Sequence, residues 1–178
     1  MDNLIIRPVA LTDLVYLAEF DHSYHTDYVW QMDIKTQKHE VGISFREVHL
    51  PRSMRVEYPQ EISFAVEGLR DRPGFFIAEL NDEPVGYVSL SKVNNPELIQ
   101  VIDLVVLRRL RRQGIGSALL EEAQAWALQE ESKFLILQMQ SKNYPAICMA
   151  NKCGFEFCGY NDHYYANHDI ALFFVKRV

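Results

Sequence analysis

The stretch Arg111-Arg112-Gln113-Gly114-Ile115-Gly116, with Arg108 and Arg109 just upstream, has the residue types and spacing of an anion site. It follows an apolar run that ends near Leu107 and opens an amphipathic run to Gln129, so it reads as strand, turn, helix. The first N–H groups of a helix lack internal partners, and the helix dipole favours negative charge there. Glycines at 114 and 116 let the backbone approach a phosphate closely, while the arginines supply cations that do not deprotonate. Together these residues describe a pyrophosphate site. The plainer reading is a glycine turn carrying solvated arginines. Two other nucleotide motifs fail, because there is neither a Gly-Lys-Ser/Thr P-loop nor a complete GxGxxG followed by an acidic residue about 20 positions on.

Other chemistry-bearing residues are scattered. Asp103 lies on the strand before the basic turn and is a candidate proton acceptor. The tail Tyr160-Asn161-Asp162-His163-Tyr164-Tyr165 mixes aromatics with one carboxylate and one imidazole, and could line an acceptor pocket. Tyr24, Tyr28, Trp30 and Asp33 offer an aromatic and acidic surface suited to a cation, with ordinary core packing as the alternative. Cys148, Cys153 and Cys158 form no CxxC pair, and no His, Asp and Cys grouping has metal-ligand spacing, so packing thiols and no metal are expected.

The elements that must position these residues are clearest after Gly74. Phe75–Leu80, then Asn81-Asp82-Glu83-Pro84, then Val85–Leu90 predict a hairpin, because Asn, Asp and Pro between apolar runs form turns. A third strand follows over about Ile99–Leu107. The helix over about Ile115–Gln129 places Ile115, Ala118, Leu119, Ala123, Trp126 and Ala127 on one face. Phe134–Leu137 reads as a buried strand, and Pro145–Lys152 as a helix ended by Gly154 at a left-handed cap. Phe155–Phe157 and Ala171–Val175 read as a closing pair of strands. Earlier, Leu4–Arg7 is a strand before Pro8, Thr12–Phe20 a helix capped by Thr12 or Asp13, and Val41, Ile43 and Phe45 mark a strand. Residues from about Asp21 to Lys38 show no period, and a short helix near Gln60–Gly68 is weakly marked. The order makes a mixed α/β domain, and no linker divides the chain.

Composition bounds the partners. The chain has 178 residues, which suits one domain. Its formal charge of −6, with no basic tract beyond the one short cluster, disfavours nucleic acid. No apolar run approaches the ~20 residues of a membrane span. Met1–Arg7 lacks the pattern of a secretory signal, so a cytoplasmic location is expected.

Val101–Val106 followed by Arg111–Leu120, then Asn143-x-x-Ala146 and Lys152-Cys153-Gly154-Phe155, resembles the GCN5-related N-acetyltransferase (GNAT) family over about Phe75–Val175. In the C-terminal part Leu137, Gln140, Asn143, Ala146, Tyr165-Ala166-Asn167 and Ala171 are similar to streptothricin acetyltransferases. The resemblance implies a mostly antiparallel, splayed central sheet flanked by helices, formed by residues 1–178 as one N-acetyltransferase domain. It implies acetyl-CoA as co-substrate, with backbone groups of Leu104, Val105 and Val106 on the pantetheine and one N–H polarising the thioester carbonyl. The pyrophosphate would lie on Arg111, Arg112, Gln113, Gly114, Ile115, Gly116 and Ser117, with Asn143 and Ala146 near the pantetheine arm. Asn143 has an alternative role as a helix cap.

The activity implied is acetyl transfer to a primary amine of a small molecule or a peptide. Asp103 is the candidate base and Tyr165 the candidate polar group near the acetyl. Two departures matter. Ile102 stands where the streptothricin group has glutamate, and Ala150 stands where many members carry a thiolate-protonating tyrosine. Cys148 and Met149 are not expected to replace it, Cys148 because it points to another helix face. An acyl-CoA-binding module without turnover and a protein lysine or N-terminal acetyltransferase are the rival readings. Dimers are common in this family, which leaves a homodimer open.

Overall fold

A computed structural model describes residues 3–59 and 72–178, so the helix expected over about Gln60–Gly68 lies outside the described residues. In chain order the elements are β1 (Leu4–Pro8), α1 (Leu14–Leu17), β2 (Tyr24–Gln37), β3 (Glu40–Val56), β4 (Gly74–Leu80), β5 (Glu83–Lys92), β6 (Leu98–Val106), α2 (Ile115–Gln129), β7 (Phe134–Gln140), α3 (Tyr144–Lys152), β8 (Glu156–Asn161) and β9 (Ala171–Arg177). Seven strands form one sheet in the order β1-β4-β5-β6-β7-β9-β8, and β2 with β3 forms a separate two-stranded ribbon. Every pairing in the large sheet is antiparallel except β6 with β7. The fold is therefore the mixed α/β, mostly antiparallel arrangement expected.

Local chemistry explains the firm elements. Leu80 pairs with Glu83, so Asn81 and Asp82 alone make the β4–β5 turn, at φ of 54° and 65°. Two left-handed residues in a two-residue loop give the turn whose twist matches its strands, and Asn and Asp tolerate that conformation best. Helix α2 buries Ile115, Leu119, Leu120, Ala123 and Ala127, a stripe at helical spacing that packs with Val88, Leu90 and Val101 of the sheet. The opposite face carries Phe75, Ile77, Tyr87 and Val105, covered by Leu14, Leu17 and Phe20. Gly154, just past α3, has φ of 79° and closes the helix as expected.

The first helix is shorter than its apolar spacing suggests: a 3-10 turn over Leu11–Asp13 and then only α1. Asp13 stands at the N-cap of α1 without capping it. Its carboxylate turns back to accept from Ala10 N–H at 2.7 Å and from both Nη atoms of Arg7 at 2.7 and 2.9 Å. Arg7 also reaches Glu79 on β4, so the cluster ties β1, α1 and β4 together. The Arg7 bonds hold the Asp13 carboxyl below the usual carboxylate range. A depressed carboxyl stabilises the fold above its unfolded pKa, about 3.9, and that contribution is lost as pH falls through the folded value. The urea midpoint is therefore expected to drop below about pH 4, and Asp13→Asn to flatten that acid slope relative to the unaltered protein.

The ribbon is the main departure from expectation. The aperiodic stretch before Lys38 is strand β2, paired with β3 from Tyr24↔Val56 to Gln37↔Glu40. Most of the ribbon is exposed on both faces, so its strands lack the alternation that marks a half-buried strand. Its base is held by Trp30 and Phe45 among Phe157, Tyr160 and Phe174, and by Trp30 N–H donating to the Ser141 carbonyl at 2.9 Å.

Candidate active site

The site begins where the sheet splits. β6 and β7 pair over four residues each, Leu98–Val101 with Phe134–Leu137, and then part. Beyond that point β6 keeps β5 on one side only. Leu107 N–H donates to Val85 O at 2.9 Å, and backbone direction alternates along a strand, so Val105 faces β5 while Leu104 and Val106 aim their N–H groups into the gap. The Val105 backbone is thus engaged with Tyr87, which narrows the expected pantetheine contacts to its two neighbours. Two of the gap-facing carbonyls have partners: Val106 O accepts from Arg111 Nε at 2.8 Å, and Ile102 O lies 3.4 Å from the Tyr58 hydroxyl.

At one end of the gap stands the N-terminus of α2. Arg112 and Gly114 both take left-handed backbone, at φ of 66° and 91°, and no side chain caps the helix. Ala118 N–H is the first to find its helical partner, Gly114 O, at 3.0 Å. The N–H groups of Ile115, Gly116 and Ser117 therefore point outward into a concave, positively polarised turn. Gly116 is needed for space: a Cβ there would come within 3.1 Å of Met149 Sδ and 3.5 Å of Leu104 Cδ2.

A cavity of about 300 Å³ runs from this turn along β6 to α3. Of the residues expected at a coenzyme site, Leu104, Val105, Val106, Arg111, Arg112, Gly114, Gly116, Ser117, Asn143 and Ala146 line it. Gln113 and Ile115 do not: the first is exposed with its amide toward Arg109 O at 3.4 Å, and the second is buried beneath the helix. The wall also includes His22, Tyr24 and Tyr58 from before β4, Leu110, and Pro145, Cys148, Met149 and Lys152 on one side of α3. Of the three N-terminal members, Tyr24 belongs to the aromatic surface expected from its neighbours, whereas His22 and Tyr58 carry no local signal because their partners are far along the chain.

Arg111 lines the cavity but its guanidinium is committed. Besides Val106 O it donates to Ser23 O at 2.9 Å and to Asp21 O at 3.2 Å, so it ties the loop bearing His22 to the end of β6. Arg112 and Lys152 are the cations left facing the cavity. Asn143 serves in both of its expected roles. Its Oδ1 caps α3 through Ala146 N–H at 3.2 Å, and the side chain also lines the cavity.

Cys148 points to another helix face than Ala150, as expected, and that face lines the cavity, since Cys148 sits three and four residues from Pro145 and Lys152 on the same helix side. Ala150 is fully buried on the other side and brings no hydroxyl to the gap.

Asp103 is buried on the α1 face of β6. Ser89 Oγ donates to its Oδ2 at 2.9 Å, Arg72 Nη1 lies 3.0 Å from the same oxygen, and the Tyr58 hydroxyl donates to Oδ1. Burial first, and then the Asp103 charge, raises the Tyr58 phenol well above its ordinary value. His22 Nε2 is 2.7 Å from the Tyr87 hydroxyl, with its ring 5.6 Å from that of Tyr58. Burial lowers the His22 pKa, which keeps the ring neutral near pH 7.

Tyr165 lies outside the cavity wall, accepting from Gln138 Nε2 at 3.3 Å, and burial pushes its phenol up to about 12. Asp162 and His163 pair with each other in an exposed turn. The supposed acceptor surface disperses: Tyr24 joins the cavity, Tyr28 stacks on Tyr144, Trp30 enters the aromatic base of the ribbon, and Asp33 pairs with Arg46.

The family model described as Acetyltransferase (GNAT) family matches residues 37–155. The chain belongs to that family. An N-alpha-acetyltransferase of Sulfurisphaera tokodaii is 35% identical over 121 residues, which is 61% of this chain and 72% of that protein. A streptothricin acetyltransferase of Escherichia coli is 33% identical over 82 residues, 46% of this chain and 47% of its own length. Two crystal structures share the fold almost end to end at 23% identity: a nourseothricin acetyltransferase, TM-score 0.82 over 98% of both chains, and a putative streptothricin acetyltransferase from Bacillus anthracis in complex with acetyl coenzyme A, TM-score 0.81 over 99% of both. As a GNAT enzyme the chain transfers acetyl from acetyl-CoA to an amine. The cavity fits that donor: it combines outward helix N–H groups, two cations and a strand edge, the groups that a pyrophosphate followed by an amide-bearing arm requires.

Proposed function

We propose that the described residues act as one acetyltransferase domain whose acceptor is a primary amine carried on a small molecule. In this reading Arg112, Lys152 and the N–H groups of Gly116 and Ser117 hold the donor's pyrophosphate. Leu104 and Val106 pair with the pantetheine amides, and one of their N–H groups stabilises the oxyanion that forms as the amine attacks. Asn143 and Ala146 border the pantetheine arm. Asp103 is the proton sink, and Tyr165 supports the acceptor side through Gln138 instead of touching the thioester. The observation that carries the reading is the split between β6 and β7, with an open helix N-terminus at one end and a buried, bonded carboxylate beside it. The three free cysteines suit a reducing compartment, in keeping with the cytoplasm.

A peptide N-terminus is the second reading, favoured by the relatives named N-alpha-acetyltransferase. Release of free thiol from acetyl-CoA, measured against streptothricin, a polyamine and an alanine-initiated peptide, separates the two. Turnover is expected with a small amine at a kcat/KM at least about tenfold above the peptide, a difference of about 1.4 kcal/mol in transition-state binding. A preference for the peptide transfers the assignment to protein N-termini. Tight coenzyme A binding with no turnover of any amine leaves only a binding module.

A further inference from the structure

We propose that Tyr58 is a catalytic residue of this enzyme, the hydroxyl through which the reacting amine exchanges its proton with Asp103. The proposal rests on the acetyl-transfer reading above and names a group that the family motifs do not contain. Asp103 is almost fully buried, and both its oxygens are engaged, by Ser89 and Arg72 on Oδ2 and by Tyr58 on Oδ1. Tyr58 lines the cavity and Ser89 and Arg72 do not, so among the described side chains bonded to Asp103 it is the one that also faces the gap. A phenol that donates to a carboxylate keeps oxygen lone pairs with which it can accept from an N–H. Burial and the Asp103 charge hold its proton in place at rest, so Tyr58 is a poised conduit and not a standing phenolate. The second observation is a gap in the chemistry: Ala150 brings no hydroxyl, and the acids on the cavity face of α3 are the Cys148 thiol and the Lys152 ammonium, which the reading above assigns to the pyrophosphate.

The step balances as follows. The amine nitrogen forms a C–N bond with the thioester carbon, and the C=O π pair moves to the oxygen. Tyr58 Oη takes an N–H proton as its own phenolic proton passes to Asp103 Oδ1. The oxyanion pair then reforms C=O, the C–S bond breaks with its pair on sulfur, and Asp103 returns the proton through Tyr58 to the thiolate. Amine and thioester become amide and thiol, with Tyr58 and Asp103 restored.

The test compares Tyr58→Phe, Asp103→Asn and the double variant in single-turnover acetyl transfer to the best amine of the panel above. Each single variant is expected to lose about 10²-fold or more in the transfer rate constant, the usual scale for a positioned acid–base group, with the acetyl-CoA Kd within about twofold. The double variant is expected to fall no more than about threefold below the slower single one, because the two side chains act as one unit. In mixtures of H2O and D2O the wild-type rate is expected to curve with deuterium fraction, two protons being in flight, and Tyr58→Phe to give a straight line. Independent of activity, the acetyl-CoA-free protein is expected to show a downfield phenolic proton by NMR that both single variants lose. A Tyr58→Phe rate within about threefold of wild type overturns the proposal, as do multiplying losses or a Kd that rises in step with the rate loss. If Tyr58→Phe does not fold, Asp103→Asn decides, and a near-wild-type rate with a curved isotope plot overturns it. A wild-type protein that acetylates no amine overturns the acetyl-transfer reading and takes this proposal with it.

Discussion

Gly116→Leu is expected to raise the Kd for coenzyme A by about 100-fold or more, a loss of about 2.7 kcal/mol, while leaving the protein folded. A Cβ at this position meets the Met149 sulfur at 3.1 Å and Leu104 at 3.5 Å, so anything beyond it must enter the space between α2, α3 and the open edge of β6. In the proposed reading the donor's phosphates reach the helix N–H groups through that space. The first collision is with the end of a flexible methionine, so Gly116→Ala should cost only a few-fold while leucine fills the passage. Calorimetric titration with coenzyme A checks both variants, and unaltered affinity in the leucine variant would remove the turn from the binding site.

Arg111→Met is expected to act on stability first. Three carbonyls, of Asp21, Ser23 and Val106, lose one charged donor, and removing such a shared partner typically costs about 2–4 kcal/mol. For a chain of this length that corresponds to roughly 5–15 °C in Tm. Coenzyme A binding should weaken as a consequence, because the loop bearing His22 is no longer held against β6. Arg112→Gln should do the reverse, weakening coenzyme A binding with a Tm change of about 1 °C or less, since its side chain is solvent-facing. Thermal unfolding and titration on the two variants separate a strut from a phosphate ligand. Equal Tm for wild type and Arg111→Met would return Arg111 to the phosphates.

The contrast between those arginines marks what a sequence can and cannot reveal. The turn, helix α2, the β4–β5 hairpin and the closing strands were legible because each is specified by residues within a few positions: an Asn-Asp pair, a stripe at helical spacing, a glycine past a helix end. The left-handed turn before α2 was legible for the same reason. The commitment of Arg111 to backbone carbonyls was not, because its partners at Asp21 and Ser23 lie 90 and 88 residues away. Tyr58 and Asp103 are 45 apart, and His22 and Tyr87 are 65 apart, so neither pair leaves a local trace. The ribbon was missed on different grounds. Strands exposed on both faces need not alternate, and the ribbon is packed where Tyr24, Trp30 and Phe45 meet the rest of the molecule while its far end is exposed. Cys148 does point away from Ala150, but that the Pro145–Lys152 side of α3 borders the cavity while Ala150 enters the core is set by packing against distant strands.

The short pairing of β6 with β7 has a consequence for how the protein holds together. Among the described residues, strands β1 and β4–β6 form one antiparallel unit and β7–β9 another, and the ladder between them has four residue pairs, extended by Lys133 N–H donating to Glu97 O at 2.9 Å. One apolar core runs beneath both units, from Val88 and Val101 to Leu135 and Phe174, so side-chain packing holds the centre of the sheet where the backbone ladder is short. In the proposed reading a donor lying in the gap meets Leu104 and Val106 on one side and Asn143 on the other, adding contacts across the split. By mass action, saturating acetyl-CoA is therefore expected to raise the protein's resistance to unfolding, with the protection centred on β6 and β7.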